Sequence, residues 1–151
     1  MLDLTFNNLT ADKKYGIGFF KKTIGAAIKE AGLRSAGVEL SINLVGEGRI
    51  RSLNKKYRGK NKTTDVLSFP LQEKLDAKAL KGGILSLGDI FLSLPVAKKY
   101  AARQGVGLDY EVSFLTVHGF LHLLGYDHEK SSLEKQKMFS LQDKILNKLD
   151  F

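Results

Sequence analysis

Apolar and polar residues alternate in two stretches near the N-terminus, and between them lies a stretch whose apolar residues have helical spacing. Residues 2–7 alternate and predict a first strand. A helix is predicted over about residues 12–31, with Gly32 as its stop, from apolar residues at helical spacing: Ile17, Phe20, Ile24, Ala27, Ile28 and Ala31. In residues 38–45 every second residue is apolar and these side chains share one side, which predicts a second strand.

The rest of the chain continues to mix strands with helices. A short helix is predicted over 49–57, a buried strand over 65–69 that Pro70 ends, a loop over 71–83 and a strand over 84–92, with Pro95 in the first turn of the following helix. Two more helices are predicted, over 108–124 and through Leu133, Met138, Leu141, Ile145 and Leu149. This order predicts an α/β or α+β layered domain.

Length and composition narrow the class of protein. The chain has 151 residues, of which 43% are apolar, so one domain over 1–151 with a proper core is expected. It contains no cysteine, which fits a reducing compartment. No apolar stretch approaches membrane-spanning length, so no membrane association is expected. The net charge of +8 favours an acidic partner, with nucleic acid as the leading candidate.

All three histidines of the chain lie within residues 118–128. His118 and His122 are four residues apart, which on a helix places both imidazoles on one face. Gly125 can end that helix with a left-handed backbone, so the chain can turn and bring His128 to the same point. Three imidazoles that leave a fourth position for water are typical of a catalytic zinc site.

The spacing matches that of a zinc-peptidase motif in all but one position. That motif has histidines at its first, fifth and eleventh positions, glycine at its eighth, and a glutamate general base directly after the first histidine. Here Gly119 stands in place of the glutamate. The sequence therefore retains the metal ligands and lacks the peptidase base.

A basic segment covers residues 49–62 and holds seven cations without an acid: Arg49, Arg51, Lys55, Lys56, Arg58, Lys60 and Lys62. Such a segment attracts anions, and Lys55 and Lys56 are candidate contacts to a nucleic acid. Tyr57 is either a stacking platform for a base or a packing residue. Arg58 is the most informative member, because a guanidinium can grip two phosphate oxygens at once.

Three blocks of sequence carry a family resemblance. They are residues 54–60 (NKKYRGK) with 63–70 (TTDVLSFP), residues 87–90 (LGDI), and the histidine motif HGFLHLLGYDH at 118–128. With these blocks the chain resembles the YbeY family of endoribonucleases. The resemblance implies an α+β, zincin-like single domain, with a mixed sheet of about four strands packed against helices. It also implies one Zn2+ per chain, held by His118, His122 and His128, and a catalytic role for Arg58.

The resemblance further implies a substrate and a setting. The substrate would be single-stranded RNA, namely the precursor of small-subunit ribosomal RNA, in rRNA maturation and ribosome quality control. Ribosomes or small-subunit assembly factors would be partners, the cytoplasm the location, and no DNA is expected as substrate. Zinc-activated water and Arg58 would act together on the phosphodiester.

Several alternatives stay open at the level of sequence. A zinc peptidase is one, although Gly119 argues against it, and a non-catalytic RNA- or ribosome-binding module with a structural zinc is another. Asp65 and Asp89 are expected to make turn or strand-end hydrogen bonds rather than to catalyse. Asp127 and Glu129 flank the last histidine, and no residue is assigned as general base.

Overall fold

The computed structural model describes residues 1–72, 75 and 80–151, and this part of the chain contains four strands and five helices. The strands are β1 (Leu2–Asn8), β2 (Gly37–Val45), β3 (Val66–Pro70) and β4 (Ile84–Ser93). The helices are α1 (Ile17–Glu30), α2 (Glu47–Arg58), α3 (Leu94–Gln104), α4 (Leu108–Leu123) and α5 (Ser132–Leu146). Within the described ranges, no helix has the length and apolar content needed to cross a bilayer.

The four strands form one mixed sheet in the order β1-β2-β4-β3. β1 pairs with β2 and β2 with β4 in parallel, whereas β3 pairs with β4 antiparallel. The predicted α+β fold with a mixed four-stranded sheet is therefore confirmed. β3 is an edge strand, which is where Pro70 is tolerated because it has no N–H to donate to a further strand.

The core lies between the sheet and the helices α1, α4 and α5. The alternating apolar residues of β2, from Val38 to Leu44, are buried as predicted, and they meet the fully buried Phe20 and Ile24 of α1. α4 contacts three helices and two strands, and most of its residues are buried. Because α4 is packed on nearly every side, the side chains at its end are held in fixed positions.

Gly88 allows β3 to run close to β4. The pairing of β2 with β4 shifts at this point, since Glu39 faces Ser86 and Leu40 faces Gly88. Gly88 has a φ of 130°, and a Cβ there would lie 2.1 Å from the carbonyl oxygen of Phe69. Any other residue would push β3 away, so this glycine fixes the strand that borders the site described below.

Two predicted helix boundaries were wrong. α1 begins at Ile17 rather than near residue 12, because local bonds hold the preceding segment in turns: Asn8 Nδ2 donates to the Asp12 carbonyl and the Lys14 N–H to Asp12 Oδ1. At the other end of the chain, Leu149 lies beyond α5. Of the predicted loop over 71–83, residues 73–74 and 76–79 lie outside the described residues.

Candidate metal centre and its cleft

The C-terminus of α4 brings the three histidines together. His118 and His122 lie in its last two turns, and Gly125 follows with a φ of 101°. The Gly125 N–H donates to the His122 carbonyl and the Tyr126 N–H to the Leu121 carbonyl, which is the paired bonding of a Schellman motif. The predicted helix end at a left-handed glycine is confirmed, and it returns the chain so that His128 reaches the first two rings.

The ligand atoms of His118, His122 and His128 all lie within 4.8 Å of one another, so the three residues can hold a metal ion. Nε2 of His118 and Nε2 of His122 are 3.1 Å apart. Two nitrogens bound to one tetrahedral zinc at about 2.0–2.1 Å would lie about 3.3 Å apart, which is close to this distance. In addition, Nδ1 of His128 is buried and has no hydrogen-bond partner in the described part of the chain. The donor set therefore fits a metal ion.

The surroundings keep two of these imidazoles neutral near pH 7. Burial, assisted by the neighbouring His122, lowers the pKa of His118 to about 4. Burial also lowers the pKa of His122, assisted by His128, against the raising effect of a hydrogen bond to the Tyr126 backbone. A neutral imidazole has the free lone pair that a metal requires, so both rings are available as ligands.

Gln142 is a site residue that the sequence analysis missed. It lies on α5 and is fully buried, and its Oε1 is 3.1 Å from Nδ1 of His118. It is a polar residue one turn after Met138 and three residues before Ile145, on the buried face of that helix. A polar residue in an apolar stripe is the one signal in the sequence that points to it.

Arg58 is the last residue of α2, and its side chain lines the same cleft. Its guanidinium donates from Nη2 to the Ser68 carbonyl at 2.7 Å and lies 5.8 Å from the centre of the Phe69 ring. The cleft, of about 520 Å³, is walled by β3, the end of α4 and the segment 125–130, and it is lined by Arg58 and all three histidines. The structure thus brings together the four residues on which the sequence analysis placed most weight.

The other predicted substrate contacts lie outside this cleft. Lys55, Lys56 and Tyr57 are exposed on α2 and do not line it. Tyr57 is 56% exposed and packs edge-on against Phe69 at 5.2 Å, with Lys56 Nζ 5.2 Å from its ring centre. Tyr57 therefore packs through one edge and keeps much of its surface accessible to a ligand.

The acidic residues near the motifs have separate surroundings. Asp127 Oδ1 accepts from the Glu129 N–H at 2.9 Å, which stabilises the turn that carries His128. Asp65 lines the cleft, and burial raises its pKa, while its carbonyl accepts from the Ser93 N–H. Asp89 accepts from Ser41 Oγ on the polar face of the sheet, away from the histidines. Asp65 therefore makes a bond at a strand end, as expected, whereas the Asp89 bond joins two paired strands within the sheet.

Position 119, where the peptidase motif carries its glutamate, is packed against the sheet. A Cβ on Gly119 would lie 3.1 Å from Ser68 Oγ and 3.1 Å from Ile90 Cγ2, both of which are buried. Ser68 Oγ also donates to the Gly119 carbonyl at 3.2 Å. A longer side chain would have to displace one of these groups, so the glycine permits the close approach of α4 to β3.

We expect Gly119→Glu to destabilise the fold without creating a peptidase. Overpacking costs about 1–3 kcal/mol, and burial of a carboxylate adds to it, so a loss of roughly 3 kcal/mol or more is expected in urea unfolding. Gly119→Ala is the matched control, because its gain in helix propensity of about 1 kcal/mol offsets a few tenths of an ångström of crowding. A stable Gly119→Glu protein with chelator-sensitive proteolysis would contradict this account of position 119.

Comparison with known proteins identifies relatives over nearly the whole chain. The family model described as Endoribonuclease YbeY matches residues 6–150. A protein of Persephonella marina named Endoribonuclease YbeY is 40% identical over 146 residues, which is 97% of this chain and 92% of the relative. One of the same name from Sulfurihydrogenibium sp. is 47% identical over 131 residues, or 87% of this chain and 82% of the relative.

A solved structure shares the fold. The solution structure of TM1509 from Thermotoga maritima aligns with a TM-score of 0.65 at 28% sequence identity. The alignment covers 95% of this chain and 86% of the other. The family match over residues 6–150 includes the residues that line the cleft and all three histidines.

Proposed function

The chain belongs to the YbeY family of endoribonucleases, and on this premise we propose that it is a zinc-dependent endoribonuclease that hydrolyses single-stranded RNA. The observation that carries the proposal is the meeting of Arg58 with three imidazoles in one open cleft. The imidazoles offer a metal site and the guanidinium offers a phosphate contact. The combination suits a phosphodiester, which is anionic before it reacts and becomes more so in the transition state.

The metal is assigned as zinc from the chemistry of its donors. His118, His122 and His128 would hold it, and three nitrogen donors with an open position are the pattern of catalytic zinc. A zinc ion bound by neutral ligands supplies Lewis acidity, which lowers the pKa of water and polarises a phosphoryl oxygen. One ion per chain is proposed.

Arg58 is proposed to bind the scissile phosphate and to stabilise its developing negative charge. The bond from Nη2 to the Ser68 carbonyl and the contact with Phe69 fix the plane of the guanidinium. A guanidinium has five N–H donors, so donors remain for phosphate oxygens after this bond is made. A donor that is already oriented needs no reorganisation when charge develops, which is the source of its catalytic value.

The neighbouring residues of α2 are proposed to hold the RNA strand beside the cleft. Lys55 and Lys56 would contact phosphates, and Tyr57 has an exposed ring on which a base can stack. Stacking and edge contacts require unpaired bases, which favours single-stranded over duplex RNA. DNA is not proposed as a substrate.

The biological setting is proposed from the family resemblance together with the charge of the chain. The substrate would be the precursor of small-subunit ribosomal RNA, and the activity would serve rRNA maturation and ribosome quality control in the cytoplasm. Ribosomes or small-subunit assembly factors would be the partners. The net charge of +8 supports an RNA-rich partner of this kind.

We expect the zinc-loaded protein to cleave single-stranded RNA and to leave an unfolded protein substrate intact. Gly119 provides no general base for amide hydrolysis, whereas the cations of residues 49–62 favour a polyanion. RNA affinity should also fall steeply with salt: about three phosphate contacts predict a roughly twentyfold loss between ~50 and ~200 mM. The measurements are gel-based cleavage of both substrates and RNA binding across a salt series.

A chelator-treated sample of the same protein is the control for both substrates. Chelator-sensitive proteolysis without RNA cleavage would replace the proposal with the peptidase. Salt-dependent RNA binding with neither activity, on free RNA and on immature small subunits alike, would replace it with the binding module.

A further inference from the structure

We propose that Gln142 is a positioning residue of the metal centre, which fixes the ring orientation and tautomer of His118 through its side-chain oxygen. Gln142 lies on α5, 24 residues after His118 in the chain, and the link between them is a contact between two helices. The inference rests on the proposed metal site, and its test is arranged so that the two can fail separately.

The geometry assigns a direction to this hydrogen bond. Nε2 of His118 faces Nε2 of His122 at 3.1 Å, so Nε2 is the ligand atom of His118. A ring that binds metal through Nε2 carries its proton on Nδ1, and the atom 3.1 Å from Nδ1 is Oε1 of Gln142. The Nδ1–H therefore donates to the amide oxygen, which can only accept, and this bond selects the tautomer that leaves Nε2 free.

A buried glutamine at this position lowers the stability of the fold, so a purely structural role does not account for it. The side chain is fully buried on the face of α5 that also buries Met138 and Ile145. Its Nε2 has no hydrogen-bond partner within the described residues. Burial of an amide with an unpaired donor costs stability, whereas an apolar side chain of the same length would not. The bond to His118 is the contact that accounts for an amide at this place.

The amide also orients His118 without changing the charge of the centre. A carboxylate at position 142 would accept the same Nδ1–H but would add a negative charge next to a site that must attract an anionic phosphate. Glutamine supplies the acceptor and stays neutral, so the positive charge of a bound metal remains available to the substrate. Substitutions at this position can therefore separate hydrogen bonding from charge.

The test compares zinc affinity and apo-protein stability in three variants of the full chain. Gln142→Met removes the acceptor and retains length and burial. Gln142→Glu retains the acceptor. Met138→Leu, one turn earlier on the same buried face, is the control for packing. Zinc dissociation constants are measured by competition with a chromogenic chelator, apo stability by thermal unfolding, and the His118 tautomer by nitrogen-15 chemical shifts of its ring.

We expect Gln142→Met to weaken zinc binding about 10–100-fold while the apo protein melts at or above the parental temperature. Gln142→Glu should bind zinc with the parental affinity or better, and Met138→Leu should leave the affinity unchanged. Unchanged affinity in Gln142→Met, an equal loss in Met138→Leu, or loss of affinity only in step with loss of apo stability would overturn the inference. Failure of the parental protein to bind zinc would instead reject the proposed metal site.

Discussion

Replacement of His122 with alanine is expected to abolish bound metal and RNA cleavage together. His122 offers one of three nitrogen atoms that lie within 4.8 Å of one another and could hold a metal ion, and its Nε2 is 3.1 Å from that of His118. Two imidazoles joined by four residues of helix cannot complete a site with three protein ligands, so micromolar zinc should no longer be retained. His118→Ala and His128→Ala are expected to behave in the same way.

Stability provides a second readout of the same change. Metal that binds only the folded chain raises its unfolding temperature, so zinc should stabilise the parental protein and leave His122→Ala unaffected. Leu124→Ala is the control, because it removes a packed side chain near the same helix end but no ligand. Elemental analysis of the purified proteins settles the assignment: full metal occupancy in His122→Ala would remove this residue from the ligand set.

The convergence of the three histidines could be predicted from sequence because the residues that produce it are close together in the chain. His118, His122, Gly125 and His128 fall within eleven residues, and helical periodicity with one left-handed glycine determines how they converge. The strands of the sheet were also predictable, since the alternation of β2 reflects burial of one face. In both cases the signal depends on local geometry alone.

Features that depend on contacts between distant elements could not be predicted in this way. Gln142 meets His118 only because α5 packs on α4, and nothing in the local pattern gives the identity of a partner 24 residues away. The predicted start of α1 was wrong because the side chains of Asn8 and Asp12 compete for backbone groups that a helix would use. The packing role of Gly119 could not be predicted, because it depends on the distance between α4 and β3, which only the structure provides.

The position of Arg58 in the cleft depends on how α2 packs against β3. The sequence predicted both elements but not the contact between them. α2 ends at Arg58, and β3 begins eight residues later and runs along the cleft. The Ser68 carbonyl of β3 accepts from the guanidinium, while Ser68 Oγ donates to the Gly119 carbonyl beside His118. Ser68 of the edge strand thus connects the guanidinium of Arg58 to the helix that carries His118 and His122.

Arg58→Ala is expected to keep the metal and the fold and to lose most of the activity. The guanidinium is exposed at the end of α2, so its removal costs one hydrogen bond, of about 1 kcal/mol, and leaves the core intact. Removal of a single oriented donor from a transition state typically lowers kcat by about 10²–10³-fold, and a similar loss is expected in single-turnover cleavage of RNA. Zinc content and unfolding temperature are measured on the same samples to show that the centre is intact.

Two further variants distinguish an oriented donor from a simple charge. Arg58→Lys keeps the charge but cannot make a bidentate contact with phosphate, so it should recover only part of the lost rate. Arg103→Ala removes the same charge from α3, outside the cleft, and should cleave RNA at the parental rate. If Arg58→Ala also cleaves at the parental rate, Arg58 serves only to hold the end of α2 against β3, and the phosphate must be bound by other cations.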